Sequence, residues 1–116
     1  MNIMKQINSK KLGVVEFTLF EEKGRYIAVC LTFDIVLEGD DPSVLKEEIV
    51  KAAQLHIQTV TELKMSDNLL NRKAPKEYWE KRGGLLPLSK KQDFSSPANY
   101  EVTTYSDKNG LLTNSC

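Results

Sequence analysis

The stretch from Tyr26 to Leu63 constrains the fold more than any other part of the chain. Tyr26-Ile-Ala-Val-Cys-Leu-Thr-Phe33 is apolar at nearly every position. That is the pattern of a strand covered on both faces. Alternation puts Ile27, Val29, Leu31 and Phe33 on one face and Tyr26, Ala28 and Cys30 on the other. A second apolar run, Ile35 to Glu38, follows after a connection too short for a crossover helix, so the two strands are antiparallel or joined by a bend. The acidic turn Glu38-Gly-Asp-Asp-Pro42 then leads into a helical pattern that continues to Leu63. Asp41 is suited to cap it and Pro42 to occupy its first position, where the missing N–H costs nothing. Glu47 and Glu48 come early in the helix, on the favourable side of its dipole. Leu45, Ile49, Ala52, Ala53, Ile57, Val60 and Leu63 form its apolar stripe.

The segment before this stretch reads as a strand feeding into it. From Leu12 to Glu21, Val15, Phe17 and Leu19 alternate with Glu16, Thr18 and Phe20. Glu22-Lys-Gly-Arg25 supplies a turn, with Gly24 free to take the positive φ of a tight hairpin. The expected fold is α+β: a small, three- to four-stranded, mainly antiparallel sheet with one long helix on one face, in the order β-β-β-α-β. Residues 12–64 make this domain and residues 65–116 a C-terminal extension. The sheet face away from the helix carries apolar residues that need cover from the chain's own last strand, a second copy or a partner.

Residues 1–11 read as a loose polar arm. Asn68 to Pro75 is a linker pinned by Leu69 and Leu70. A short helix near 75–82 carries Tyr78 and Trp79 and is stopped by Gly83-Gly84. Leu85 to Leu88 is suited to pack back on the core, 89–99 reads as a loop, and 100–105 has the β-branched and aromatic character of a strand. Asp107-Lys-Asn-Gly110 is a turn, and the last six residues are expected to fray.

With 116 residues, the chain is long enough for one modest core. It lacks the run of about 20 apolar residues that a membrane span requires and the apolar core of a signal peptide, so it reads as cytoplasmic. Cys30 in an apolar strand and Cys116 at the terminus make neither a disulfide framework nor a zinc site. Net charge is zero but unevenly spread. Glu16 to Glu62 holds ten acids and four bases, a net of −6, whereas Arg72 to Lys91 holds seven bases and two acids, a net of +5. Such asymmetry speaks of partners rather than of fold.

No catalytic residue, metal ligand or cofactor motif is proposed. His56, the only histidine, has no nucleophile pattern around it and reads as a partly buried residue satisfied by a hydrogen bond. Asp34, Glu38 and Asp40 are candidate partner-binding acids. Asp34 and Glu38 share a strand face by the period of two, and converging carboxylates suit magnesium-dependent hydrolysis. However, Asp40 and Asp41 are accounted for by the turn and cap, and metal-loop spacing is missing. Lys76, Lys81 and Arg82, interleaved with Tyr78 and Trp79, are candidate nucleic-acid contacts. The competing reading of that segment is a solvated helix whose aromatics dock on the core.

Gly24-Arg-Tyr-Ile-Ala-Val-Cys-Leu-Thr-Phe-Asp-Ile-Val-Leu-Glu-Gly-Asp40 resembles the HicB-like antitoxin family, with its glycine-ended hairpin, Tyr-x-Ala-x-Cys strand, Asp-Ile-Val strand and Gly-Asp before a helix. Ala52 and Leu55-His56-Ile57 match later family positions, while Ser43-Val44-Leu45 departs from the usual Glu-Glu-Ala. The resemblance implies a partial ribonuclease-H-like fold without nuclease activity. It also implies a partner, a HicA-type toxin, which is a small basic ribonuclease neutralised by steric cover. Many members add a helix-turn-helix or ribbon-helix-helix region, and neither is recognisable here. The alternative function is a nucleic-acid-binding transcriptional regulator using the basic segment.

Overall fold

The computed structural model describes residues 8–87, 92–93 and 99–107. The expected seven-residue start of the arm, most of the 89–99 loop and the chain beyond Asp107 lie outside the described residues. Three strands open the fold: β1 (Leu12–Glu22), β2 (Arg25–Cys30) and β3 (Ile35–Gly39). The long helix α1 (Pro42–Glu62) follows, then a 3-10 turn (Asp67–Leu70) and the short helix α2 (Lys76–Arg82). Two-residue strands β4 (Leu86–Pro87) and β5 (Gln92–Asp93) precede β6 (Asn99–Ser106). The α+β fold and its long helix are as expected, and the sheet is mainly antiparallel. Its order is β3-β2-β1-β6-β4, with β5 also on β6, so two short strands extend the four long ones. The pairing of β1 with β6 is parallel, from Leu12 opposite Asn99 to Leu19 opposite Ser106.

The hairpin between β1 and β2 turns on Lys23 (φ 54°) and Gly24 (φ 82°). Two successive positive φ values define the mirror-image turn that matches the strands' right-handed twist. Gly24 takes it freely, whereas Lys23 pays about 1 kcal/mol for its Cβ. The helix start is as its sequence suggests: the Asp41 carboxylate accepts from the N–H of Ser43 at 2.9 Å and of Val44 at 3.3 Å, and Pro42 opens the helix. Glu47 and Glu48 correct the expectation placed on them. The first turn of α1 contains no acid, and the dipole's effect has fallen away by their positions. At the other end, Lys64 takes φ 54°, the Met65 N–H donates to the Val60 carbonyl and the Lys64 N–H to the Thr61 carbonyl. This is the glycine-type helix stop, built on a lysine.

Both sheet faces are covered. On one face, Val15, Phe17 and Leu19 of β1, Ala28 and Cys30 of β2, and Tyr100 and Val102 of β6 meet Leu45, Ile49, Ala53, Ile57 and Val60 of α1. On the other, Phe20, Val29, Leu31 and Ala74 form a second cluster, with Ile27, Tyr78, Trp79 and Leu85 packed against it. The far face is thus covered by α2 and its flanks, and the aromatics of the basic segment dock on the core. Phe33 departs from the expected alternation and joins the α1 side. The reason is local: β2 ends at Cys30, Asp34 takes φ 62°, and its N–H closes a turn on the Cys30 carbonyl at 2.9 Å.

The described part of the arm is pinned rather than loose. Asn8, only 4% exposed, donates from its side-chain amide to the carbonyls of Val14 and Leu70 and accepts from the Val14 N–H. Asn71 accepts from the Asn8 N–H and donates to its carbonyl. The Tyr100 hydroxyl donates to the Ser9 carbonyl at 2.7 Å, and Lys10 pairs with Asp67 at 2.6 Å. Gly13 leaves room for this network: a Cβ there would lie 2.3 Å from Asn8 Oδ1 and 2.7 Å from the Tyr100 ring. Gly13→Ala therefore lowers stability by about 2 kcal/mol, an overpacking cost read from chemical denaturation. Lys64→Gly relieves the left-handed strain and raises stability by about 1 kcal/mol in the same measurement.

Candidate interaction surface

Asp34, Glu38 and Asp40 line one margin of the molecule. Asp34 stands in the turn before β3 rather than on the strand itself, Glu38 is within β3, and Asp40 follows it. All three are exposed, as are nine of the ten acids between Glu16 and Glu62, Glu16 being the exception. Sequence reasoning missed Arg25, which reaches Glu38 at 3.9 Å and Asp40 at 3.6 Å. The signal lies in the strand register: Tyr26 pairs with Gly39, so its predecessor stands across from Asp40. These pairs are long and exposed, so each contributes little, about 0–1 kcal/mol. Glu22, Lys23, Arg25, Ile27 and Glu38 surround an open hollow of about 410 Å³. Among the described residues no group of three or more His, Cys, Asp or Glu side chains is placed to hold a metal ion.

The basic candidates each pair with a carboxylate of the same chain, Lys76 on the solvent side of α2 and Lys81 and Arg82 towards β1. Lys76 pairs with Glu80 at 3.7 Å along α2. Lys81 pairs with Glu22 at 3.8 Å and lies over the Phe20 ring at 4.5 Å. Arg82 donates to Glu16 at 2.7 Å and has the rings of Trp79 and Tyr105 each 5.2 Å away. Arg82 is therefore fixed by a short ion pair and two aromatic faces, a stronger arrangement than a lone surface pair. Tyr78 and Trp79 of α2 add apolar contact with the cluster that contains Val29 and Leu31. Val29 and Leu31 are fully buried, at about 1.5–3 kcal/mol each.

His56 has its ring 4.7 Å from that of Phe33, and its Nε2 lies 2.6 Å from the Leu69 carbonyl. A carbonyl only accepts, so Nε2 carries the proton and ties α1 to the 3-10 turn. Cys30 is a free, buried thiol whose pKa burial pushes up to about 12. Tyr100 is raised to about 12, first by burial and then by the Asp67 charge. Comparison with protein-family models, with curated proteins and with solved structures finds no match. No described helix is long and apolar enough to cross a membrane.

Cys30 and Tyr100 set an alkaline limit. Both are held neutral by the fold, so their contribution is complete below their unfolded pKa values and fades as pH rises towards 12. Denaturation midpoints are expected to fall progressively above about pH 9. In a Cys116→Ser background, Cys30 should resist a thiol reagent at pH 8 and react fully once the chain is unfolded in denaturant.

Proposed function

We propose that this chain is a non-catalytic, cytoplasmic binding protein of the HicB-like antitoxin kind, which neutralises a small basic ribonuclease of HicA type by direct contact. The observation that carries the reading is the exposed acidic margin of β3. The segment holding the family-like motif, from Gly24 to Asp40, folds as one piece, and it leaves Asp34, Glu38 and Asp40 at the surface. A negative margin of this kind speeds encounter with a basic protein and sets its orientation. The β-β-β-α order, with β6 added beside β1, agrees with the fold implied by the resemblance. His56 and Cys30 are both engaged in packing, which supports a binding reading over a catalytic one.

Nucleic-acid binding by α2 is the second reading. It is favoured by the juxtaposition of Lys81 and Arg82 with Trp79 and Tyr105. Against it, Lys76, Lys81 and Arg82 each already engage a carboxylate of the same chain.

Co-expression with the product of the neighbouring reading frame tests the first reading. The expected result is a co-purifying complex in which ribonuclease activity is suppressed. Reversing charge with Glu38→Lys and Asp40→Lys should slow association by about tenfold at low salt and by less at high salt. Recovery of the chain alone, beside a neighbour that does not degrade RNA, removes the antitoxin reading. A salt-sensitive shift of duplex or single-stranded nucleic acid, lost on replacing Lys76, Lys81 and Arg82, favours the second reading instead.

A further inference from the structure

We propose that the outer edge of β3 accepts an extended, basic segment of a protein partner as an added strand. For the partner's identity as a basic protein, this rests on the reading above. The geometry follows from the hairpin. A two-residue loop at Lys23-Gly24 makes Glu22 and Arg25 a hydrogen-bonded pair. Arg25, Ile27 and Val29 then direct their N–H and C=O groups to β1. Leu31 continues this set, its N–H donating to the Glu16 carbonyl at 2.8 Å. Tyr26, Ala28 and Cys30 therefore face β3, where their partners are Gly39, Leu37 and Ile35. By the same alternation, Val36 and Glu38 aim their N–H and C=O groups away from β2.

Beyond that edge no strand lies among the described residues, since β3 ends the sheet order. The opposite side of the sheet differs: there β6 is met by β4 and β5. Sheet edges are commonly blunted by proline, lysine or a bulge. Ile35-Val-Leu-Glu-Gly39 has no proline or lysine, and its register with β2 is unbroken. Val36 is 42% exposed.

Charge selects the occupant. Asp34, Glu38 and Asp40 precede, occupy and follow the edge. A second copy pairing antiparallel through its outward-facing residues would oppose these carboxylates to one another: Asp34 with Asp40, Asp34 with Glu38, or Glu38 with itself. Like charges directly opposite disfavour pairing. A basic segment opposes no carboxylate to a carboxylate, and its cation shares Glu38 and Asp40 with Arg25, whose own pairs there are long and exposed. Val36 and Glu38 share a sheet face, so the incoming strand is specified as an apolar or β-branched residue two positions from a lysine or arginine. The hollow beside Glu38 has room for that long side chain.

The test uses the full chain and a short synthetic peptide of alternating threonine, with valine and lysine on the other face. Hydrogen exchange at the Val36 and Glu38 amides is expected to slow by about tenfold when the peptide is added. N-methylation of the peptide amides that face β3 should abolish the effect. Replacing the peptide lysine by glutamate should weaken binding by about tenfold. Val36→Pro should block binding while keeping the β2–β3 ladder, because the lost N–H points outward. An N-methylated peptide that binds as tightly as its parent overturns the proposal. So does slowed exchange that maps to α2, or self-association that slows Val36 exchange without peptide. Strand addition without suppression of any neighbouring ribonuclease leaves this edge site standing and removes the antitoxin reading. Suppression with unchanged exchange at Val36 and Glu38 keeps the antitoxin reading and overturns strand addition.

Discussion

Ala28, Val29, Cys30 and Leu31 are all fully buried, and successive residues of this run turn to opposite sides of the sheet. The strand that carries them can exist only if both sides are dry, because about 25 cal/mol per Å² of apolar surface is lost wherever water returns. One side is supplied by the long amphipathic helix that follows directly in sequence. The other must be brought from further away, by the segment between Ala74 and Leu85. The Ala74 N–H donates to the Leu31 carbonyl at 2.9 Å, which aligns that segment as it crosses the sheet. The rest of the molecule follows from covering these four residues twice.

The same crossing explains the uneven charge. A basic segment placed on an acidic domain neutralises part of it, and Glu16 and Glu22 are matched in this way by Arg82 and Lys81. Other acids lie on the opposite margin, at β3 and the start of α1, where Arg25 approaches Glu38 and Asp40. The charge asymmetry of the sequence thus divides into an internal part, which closes the second layer, and an external part, which faces solvent.

The covered strand, the capped helix and the hairpin were legible because each rests on local chemistry: an unbroken apolar run, Asp41 before Pro42, and Gly24. Lys23 and Lys64 were not legible, since neither is a residue that favours positive φ; the two-residue hairpin imposes it on Lys23 and the helix stop on Lys64. Phe33 was placed on the wrong face because alternation was carried through a turn that begins one residue after Cys30. The parallel partnership of β1 and β6 left no trace at either strand, as it is settled by topology rather than by neighbours in sequence. Of the acidic margin, the exposure of Asp34, Glu38 and Asp40 was readable. The answering Arg25 needed the register of β2 on β3. The commitment of Lys81 and Arg82 to Glu22 and Glu16 needed the third dimension.

The parallel ladder between β1 and β6 also shapes how the chain reaches its native state. Leu12 cannot meet Asn99 until nearly the whole chain has been made. During synthesis the first hairpin and α1 can assemble early, while the far side of β1 stays open. Closing so long a loop is entropically slow, and contacts of this separation belong to slow-folding topologies. The nascent domain therefore passes through a stage with a second bare edge, on the side later taken by β6. That is the stage at which chaperones or misplaced strands compete for it.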